Sequence, residues 1–235
     1  MKKKMSRSQN SVSFKKPRLS LWMPFLLFVV ILTLNSCLGL SMDIQMRPDG
    51  SGRITAEYRI SRMIETLGKL DGNENWPVIP AGRADLERTI ARIPGLRLVS
   101  YSSSTNERTQ DTVINAVMEY NNPQTLLNFL DPSGGKVSFH ENPNRLNIII
   151  NNEQASLNSD NNQIELVRHV FSGYNFSMSF SAAGNAEMTV TDGTGYAISP
   201  PPSIEIISSG RRVSLSAGMF DVVTITGGLG VIFSW

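Results

Sequence analysis

Cysteine and histidine are nearly absent from this 235-residue chain, which has one cysteine, Cys37, and two histidines, His140 and His169. A single cysteine excludes an intrachain disulfide framework. The histidines are far apart, and neither has a second metal-type ligand at helical or hairpin spacing. The chain also lacks a His-Glu-x-x-His motif, a Gly-x-Ser-x-Gly nucleophile elbow and a Walker-type loop. We therefore expect no metal, no cofactor and no enzymatic activity.

The remaining catalytic candidates are strand carboxylates and glycine-rich turns. Glu57 and Glu119 each alternate with apolar residues in a predicted strand, which places them on polar strand faces where a solvated charge is the default. The glycine-rich segments 193–195 and 227–230 lack the strand-to-helix context of a phosphate loop, so we interpret them as turns or bulges.

Acidic residues are absent from the first 42 positions, whereas seven basic residues lie within residues 1–18. The whole chain has 22 Lys and Arg against 20 Asp and Glu. Without the first 36 residues, 15 basic residues face 20 acidic ones, a net charge of about −5. The remainder carries no basic cluster, and its one adjacent basic pair, Arg211-Arg212, is interpreted as a solvated strand start. Nucleic-acid binding is therefore not expected.

Charge of either sign is missing from residues 19–42, and the apolar core of this window is 19–34. The uncharged run 21–34 would rise about 21 Å as a helix, short of the roughly 30 Å of a bilayer's hydrocarbon core. The full uncharged window of about 24 residues could span a bilayer with tilt. Basic residues lie only on the N-terminal side, as in an export signal or an N-in anchor.

The end of this apolar run, Leu34-Asn35-Ser36-Cys37, resembles the lipid-modification site of bacterial lipoproteins. Leu34 and the small Ser36 match the motif, whereas Asn35 stands where Ala, Ser or Thr is usual, a relaxed form associated with spirochaetes. The resemblance implies cleavage after Ser36 and a lipid on Cys37. Residues 1–36 would then be a signal peptide, with a basic region 1–18 and an apolar region 19–34. The alternative is an inert Cys37 beside a transmembrane anchor.

Residues 37–235 are predicted to form a single exported domain. Alternating residues from Met42, a Pro48–Gly52 turn and a second alternation over 53–60 predict a hairpin with one apolar and one charged face. Further strands are predicted at 96–102, 112–120, 136–141, 145–150, 174–182, 186–190, 204–208, 211–216 and 229–235. Helices are predicted from Ser61, over 83–93, from Asn122-Pro123, and from Asp160 to Gly173. Segment 219–226 fits either a strand or a short helix.

This order predicts an α+β fold, with antiparallel sheets built from hairpins and several short amphipathic helices on one face, preceded by a signal or anchor helix. Residues 41–62, a charged-and-apolar hairpin directly after an anchored cysteine, resemble the exported domains of LppM-type and uncharacterised spirochaete lipoproteins. The resemblance implies association with lipid or the cell envelope. It transfers no site residue beyond Cys37.

Three functions fit these observations. The first is a membrane-anchored module whose apolar strand face, Tyr174 to Phe180, holds an acyl chain or other hydrophobic ligand under short helices, and the competing interpretation is a filled core. The second is docking on an envelope protein through the charged face of the first hairpin. The third is exposure at the cell surface. The expected location is the cell envelope, lipid-anchored to a membrane, either on the periplasmic side or at the outer membrane. Leu38 is not the Asp that retains enteric lipoproteins at the inner membrane, which favours the outer membrane.

Overall fold

The first hairpin has the predicted form, and its first strand begins at the residue after Cys37. In the computed structural model, β1 (Leu38–Met46) pairs antiparallel with β2 (Gly52–Ile60). Asp49 holds the connecting turn, because its Oδ1 accepts a hydrogen bond from the Ser51 amide at 3.0 Å. The strand starts four residues before the predicted start at Met42, so the sheet continues up to the predicted anchor.

The structure describes residues 38–60, 82–107, 111–151 and 174–235, together with Ile164, Glu165, Arg168, His169, Phe171 and Gly173. The predicted signal peptide, the cleavage and lipidation residues Ser36 and Cys37, and the helix from Ser61 lie outside these residues. So does Asp160, the predicted entry of the helix that ends at Gly173. By its internal contacts, Cys37–Trp235 forms one unit.

Strands predominate over helices in the described part of the chain. The helices with described bounds are α1 (Arg83–Ala91), α2 (Pro123–Leu130) and α3 (Met219–Thr224). Within the predicted helix from Asp160 to Gly173, the described residues Ile164, Glu165, Arg168, His169 and Phe171 are helical. The strands after the first hairpin are β3 (Leu96–Thr105), β4 (Thr112–Tyr120), β5 (Val137–Glu141), β6 (Asn144–Asn151), β7 (Asn175–Ser181), β8 (Glu187–Thr191), β9 (Ile204–Ser209), β10 (Arg212–Gly218) and β11 (Leu229–Ser234). Each predicted strand of the described region is present.

The strands form a seven-stranded sheet in the order β3-β4-β2-β1-β7-β10-β9 and a four-stranded sheet in the order β5-β6-β11-β8. The prediction of antiparallel pairing is wrong at one place, because β1 and β7 run parallel, with Met42 opposite Met178 and Ile44 opposite Phe180. Alternation of apolar residues indicates which face of a strand is buried but not which strand lies beside it. This parallel pair therefore left no signal in the local pattern.

The buried face of the seven-stranded sheet shares one hydrophobic core with the four-stranded sheet. Phe180 of β7 and Phe233 of β11 are fully buried, with ring centroids 5.0 Å apart. The ring centroids of Trp235 and Phe180 are 4.8 Å apart. Aromatic pairs at these separations add to the free energy gained by burying their area, so this stack is a main contact between the two sheets.

The described helices are short, and the start of α2 has a capping side chain and a proline. Asn122 caps α2, since its Oδ1 accepts the Thr125 amide hydrogen at 2.8 Å, and Pro123 occupies the first helical position. The ambiguous segment 219–226 forms α3 over Met219–Thr224. A hydrogen bond from the Met219 amide to the Tyr174 carbonyl, at 2.8 Å, ties the start of α3 to the residue before β7. Tertiary contact has overridden the strand propensity of its β-branched residues.

Replacing Phe180 tests the inter-sheet core. Phe180→Ala should lower the free energy of unfolding by about 3–5 kcal/mol, because it removes a fully buried ring and leaves a cavity between the sheets. The measurement is urea denaturation of purified protein followed by circular dichroism. Val99→Ala is the control, since Val99 is 43% exposed and should cost little. Equal losses for both variants would contradict the proposed packing.

Candidate functional site

A cavity of about 480 Å³ lies on the buried face of the seven-stranded sheet, beneath the described helices. Its size follows from small side chains on neighbouring strands. Ala56 of β2 faces Ala116 of β4 directly, and Met42 of β1 lies opposite Ala56 on the other side. Two adjacent alanines on an inward face leave space that larger residues would fill. The floor of the cavity is therefore set by the pair Ala56–Ala116.

The walls and roof of the cavity are almost entirely apolar. The sheet contributes walls through Leu40, Tyr58 and Met118, and the helices cover them through Leu86 and Thr89 of α1, Phe129 of α2, and Met219 and Val223 of α3, with Phe171 and Tyr174 alongside. Met42, Met118 and Met219 supply flexible thioether chains that adapt to ligands of irregular shape. Such a lining suits a hydrocarbon ligand.

Gly39, two residues after Cys37, lines the cavity at the start of β1. A Cβ atom at this position would lie 2.9 Å from both the Tyr174 Cβ and the Asn175 carbonyl oxygen. The register between β1 and β7 shifts at this point, between Leu38 and Leu40. Glycine therefore permits a bulge in which the first strand passes close to Tyr174.

One charged residue, Arg59 at the end of β2, belongs to the described lining. Its Nε donates to Asp111 Oδ2 at 2.7 Å, and its guanidinium carbon lies 5.6 Å from the centre of the Tyr174 ring. The Arg59 and Asp111 side chains are 14% and 8% exposed, so this ion pair is largely removed from water. The cavity thus combines an apolar body with one polar corner.

Burial also affects the ionisation of the Tyr58 phenol, which lines the same cavity. It raises the pKa of Tyr58 to about 12, since the charged phenolate would lose hydration beside the cavity. Tyr58 therefore presents a neutral hydroxyl at physiological pH. No proton transfer at neutral pH is expected from it.

The predicted apolar face Tyr174 to Phe180 divides into two parts. Tyr174 lines the cavity, whereas Phe176 and Phe180 are buried in the filled core. The burial of Phe176 and Phe180 agrees with the filled-core interpretation, and the ligand interpretation of the Tyr174 end stays a prediction. The sequence places an alanine at an inward position of β2 and another at an inward position of β4. It does not show that these two alanines are paired neighbours, and so it does not predict the cavity.

The charged face of the first hairpin is internally paired. Glu119 accepts hydrogen bonds from Arg53 at 3.1 Å and from Arg97 at 2.5 Å, and these two guanidinium groups lower the pKa of its carboxyl. Arg212 lies 3.0 Å from Asp43 across the same sheet. Glu119 therefore lies on the polar face, as predicted, in an ion-pair network.

Other predicted features of the site can be placed. His140 and His169 are exposed, and no group of three or more His, Cys, Asp or Glu side chains in the described residues is arranged to hold a metal. The 193–195 and 227–228 glycine segments are turns, with Gly195, Gly227 and Gly228 at positive φ. Within the described part, no helix is both long and apolar enough to cross a membrane. Neither a family model, nor a curated protein, nor a solved structure matches the chain.

The ion pair at the polar corner gives a stability prediction. Asp111→Asn should lower the free energy of unfolding by about 3 kcal/mol, because a largely buried ion pair would lose its negative charge while the Arg59 guanidinium keeps its positive one. Chemical denaturation near neutral pH is the measurement. Glu87→Gln, which breaks the exposed Arg83–Glu87 pair, is the control and should have little effect. A loss of unfolding free energy no greater than that of the control would show that the Arg59–Asp111 pair does not stabilise the folded protein.

Proposed function

We propose that this chain is a membrane-anchored lipoprotein of the cell envelope, without enzymatic activity, that binds a lipid acyl chain or similar hydrophobic ligand at the membrane surface. Residues 1–36 act as its signal peptide, and a diacylglycerol on Cys37 is its anchor. The exported part is an α+β domain whose short helices cover one face of the larger sheet. The resemblance of Leu34–Cys37 to a lipoprotein processing site supports the anchor.

The position and lining of the cavity carry the ligand proposal. Its volume of about 480 Å³ is within the range of about 300–1,000 Å³ found for small-molecule sites. The apolar walls favour hydrocarbon, and Arg59 is the one charged residue of the described lining. Gly39 brings the cavity within two residues of Cys37. A ligand that leaves the bilayer would therefore have a short path to it.

The anchor itself needs no contribution from the folded domain. Membrane binding by an acyl chain gains about 0.8 kcal/mol per buried methylene, and two chains give durable attachment where one does not. The domain is therefore held at the membrane whether or not the cavity is occupied. Ligand binding and anchoring can be tested separately.

Docking on an envelope protein through the charged face of the first hairpin is the alternative. The ion pairs Arg53–Glu119, Arg97–Glu119 and Arg212–Asp43 engage charged groups of that face within the chain. An external partner would have to replace these pairs at a cost in free energy. This consideration favours the cavity as the binding site, and it leaves exposure at the cell surface as a matter for protease treatment of intact cells.

Replacing the predicted anchor residue tests the lipoprotein assignment. Cys37→Ala should abolish incorporation of labelled fatty acid, because the thiol is the only attachment point proposed. Metabolic labelling and membrane fractionation are the measurements. A variant that remains membrane-bound, with a wild-type protein that carries no label, would instead establish the transmembrane-anchor alternative. Ser36→Ala is the control, since alanine is also small and should preserve processing.

Filling the cavity tests the ligand proposal. Ala116→Phe should lower the affinity for a fluorescent long-chain fatty acid, cis-parinaric acid, by about tenfold or more, because the new ring occupies the space between β4 and the helices. Binding is measured by fluorescence titration of the processed domain. Ala183→Phe is the matched control, since Ala183 is exposed and does not line the cavity.

Two results would contradict the ligand proposal. One is unchanged affinity of a folded Ala116→Phe variant. The other is a wild-type domain that binds no fatty acid and carries no lipid on extraction and mass spectrometry. Should Ala116→Phe fail to fold, Ala56→Leu offers a smaller change on the facing strand, with the same expected direction.

A further inference from the structure

The start of β1 identifies which end of the domain lies near the predicted anchor. Leu38, the first residue of β1, is paired with Asn175 at the start of β7. Asn175 is in turn paired with Gly218 at the end of β10. Ala217, next to Gly218, is paired with Ile204 at the start of β9. These strand termini therefore lie side by side at the same end of the larger sheet. We call this end of the sheet the anchor end.

The smaller sheet reaches the same end through α3. Asn151, the last residue of β6, donates its side-chain amide to the Val222 carbonyl at 3.2 Å, and α3 follows directly from the end of β10. The end of β6 is paired with the start of β11, which is in turn paired with Thr191 at the end of β8. The chain that leaves β8 at Thr191 therefore emerges at the anchor end.

A well-ordered turn follows Thr191. Asp192 Oδ1 accepts hydrogen bonds from the Thr194 amide at 2.9 Å, the Thr194 hydroxyl at 2.7 Å and the Tyr196 amide at 3.0 Å. The chain then returns, with Ala197 bridged to Thr191 and the Ile198 amide bonded to the Val190 carbonyl at 2.9 Å. The turn thus lies beyond the end of β8, held by its own hydrogen bonds and by one from the Gly193 amide to the Gly227 carbonyl at 2.8 Å.

This turn exposes apolar side chains on the arm that returns beside β8. Tyr196 is 76% exposed and Ile198 is 37% exposed. Pro200, Pro201 and Pro202 follow, and they carry no backbone N–H that would need to be desolvated at an apolar surface. The other large exposed hydrophobic residues of the described part, Val99 and Ile207, lie within strands.

The predicted anchor lies at this end by covalent necessity. Cys37 is two residues from Gly39, so the two cannot be separated by more than about 7 Å of extended chain. The bilayer surface that holds a lipid on Cys37 therefore faces the end at which the 192–198 turn lies. A tyrosine at such a surface has its ring in apolar surroundings and its hydroxyl in water, the arrangement for which tyrosine is enriched at membrane interfaces.

We propose that Tyr196 and Ile198 form a second membrane contact, which inserts into the bilayer interface beside the Cys37 lipid and orients the cavity toward the membrane. The inference rests on the proposed lipid anchor. Its driving force is burial of apolar surface rather than attraction to anionic lipid, because the processed chain has a net charge of about −5. Insertion should therefore occur in uncharged bilayers.

The test measures the depth of position 196 in the membrane. The full chain is produced with its lipid, purified and reconstituted into phosphatidylcholine vesicles, with Tyr196→Cys as the site of a nitroxide label. Lipidation blocks Cys37, so the new thiol is the only one that reacts. Ile207→Cys is the matched control, since Ile207 is 55% exposed in the middle of β9. Depth is read from collisions of the label with oxygen and with a water-soluble nickel complex.

The expected result is that oxygen collisions exceed nickel collisions at position 196, with the reverse at position 207. An aqueous label at position 196 in a protein whose Cys37 is lipidated would overturn this inference and leave the anchor and cavity proposals intact. Protection of position 196 in native membranes but not in phosphatidylcholine vesicles would overturn it in favour of a protein partner. A Cys37 thiol that itself accepts the label would show instead that the anchor proposal has failed.

Discussion

The pairing of β1 on both of its edges is the constraint on which the rest of the domain depends. β1 is the central strand of the seven-stranded sheet, bonded to β2 on one side and to β7 on the other. The β2 side is a local hairpin, whereas the β7 side joins residues more than 130 positions apart in the chain, such as Met42 and Met178. Closing so long a loop is costly in entropy and must be repaid by burial of the whole inner face. The two halves of the sheet are therefore stable only together.

The cavity is a consequence of how that inner face is filled. Toward the far end of β1, Ile44 packs near Phe180, and the stacked rings of Phe180 and Phe233 close the space between the sheets. Toward the start of β1, Ala56 and Ala116 leave the space open, and the sheet is covered by helices rather than by the second sheet. The inner face of the larger sheet thus has a filled end and an end with a cavity. The cavity lies at the end where β1 begins, at the residue after Cys37.

Much of the fold could be predicted from the sequence, because most of its strands carry a local signal. Ile54, Ala56, Tyr58 and Ile60 alternate with polar residues, and Asn122-Pro123 marks a helix start, so strand faces and caps could be assigned correctly. The parallel partner of β1 could not, since register between distant strands depends on the complete set of contacts. The short α3 was ambiguous for a related reason, as its backbone bond to Tyr174 is a tertiary contact.

The candidate site was harder to predict than the fold, because a cavity is defined by what its neighbours leave empty. Alanine at position 56 or 116 is unremarkable in its own strand, and only the direct pairing of the two creates the space. The same holds for Gly39, whose significance is the close approach of Tyr174 rather than any property of residues 37–42. The sequence motif at Leu34–Cys37 and the cavity are thus independent observations that meet at the start of β1. Because that strand connects them without an intervening linker, a rotation of the domain about the proposed anchor would carry the cavity with it. Any contact that fixed this orientation would also fix how the cavity faces the proposed bilayer.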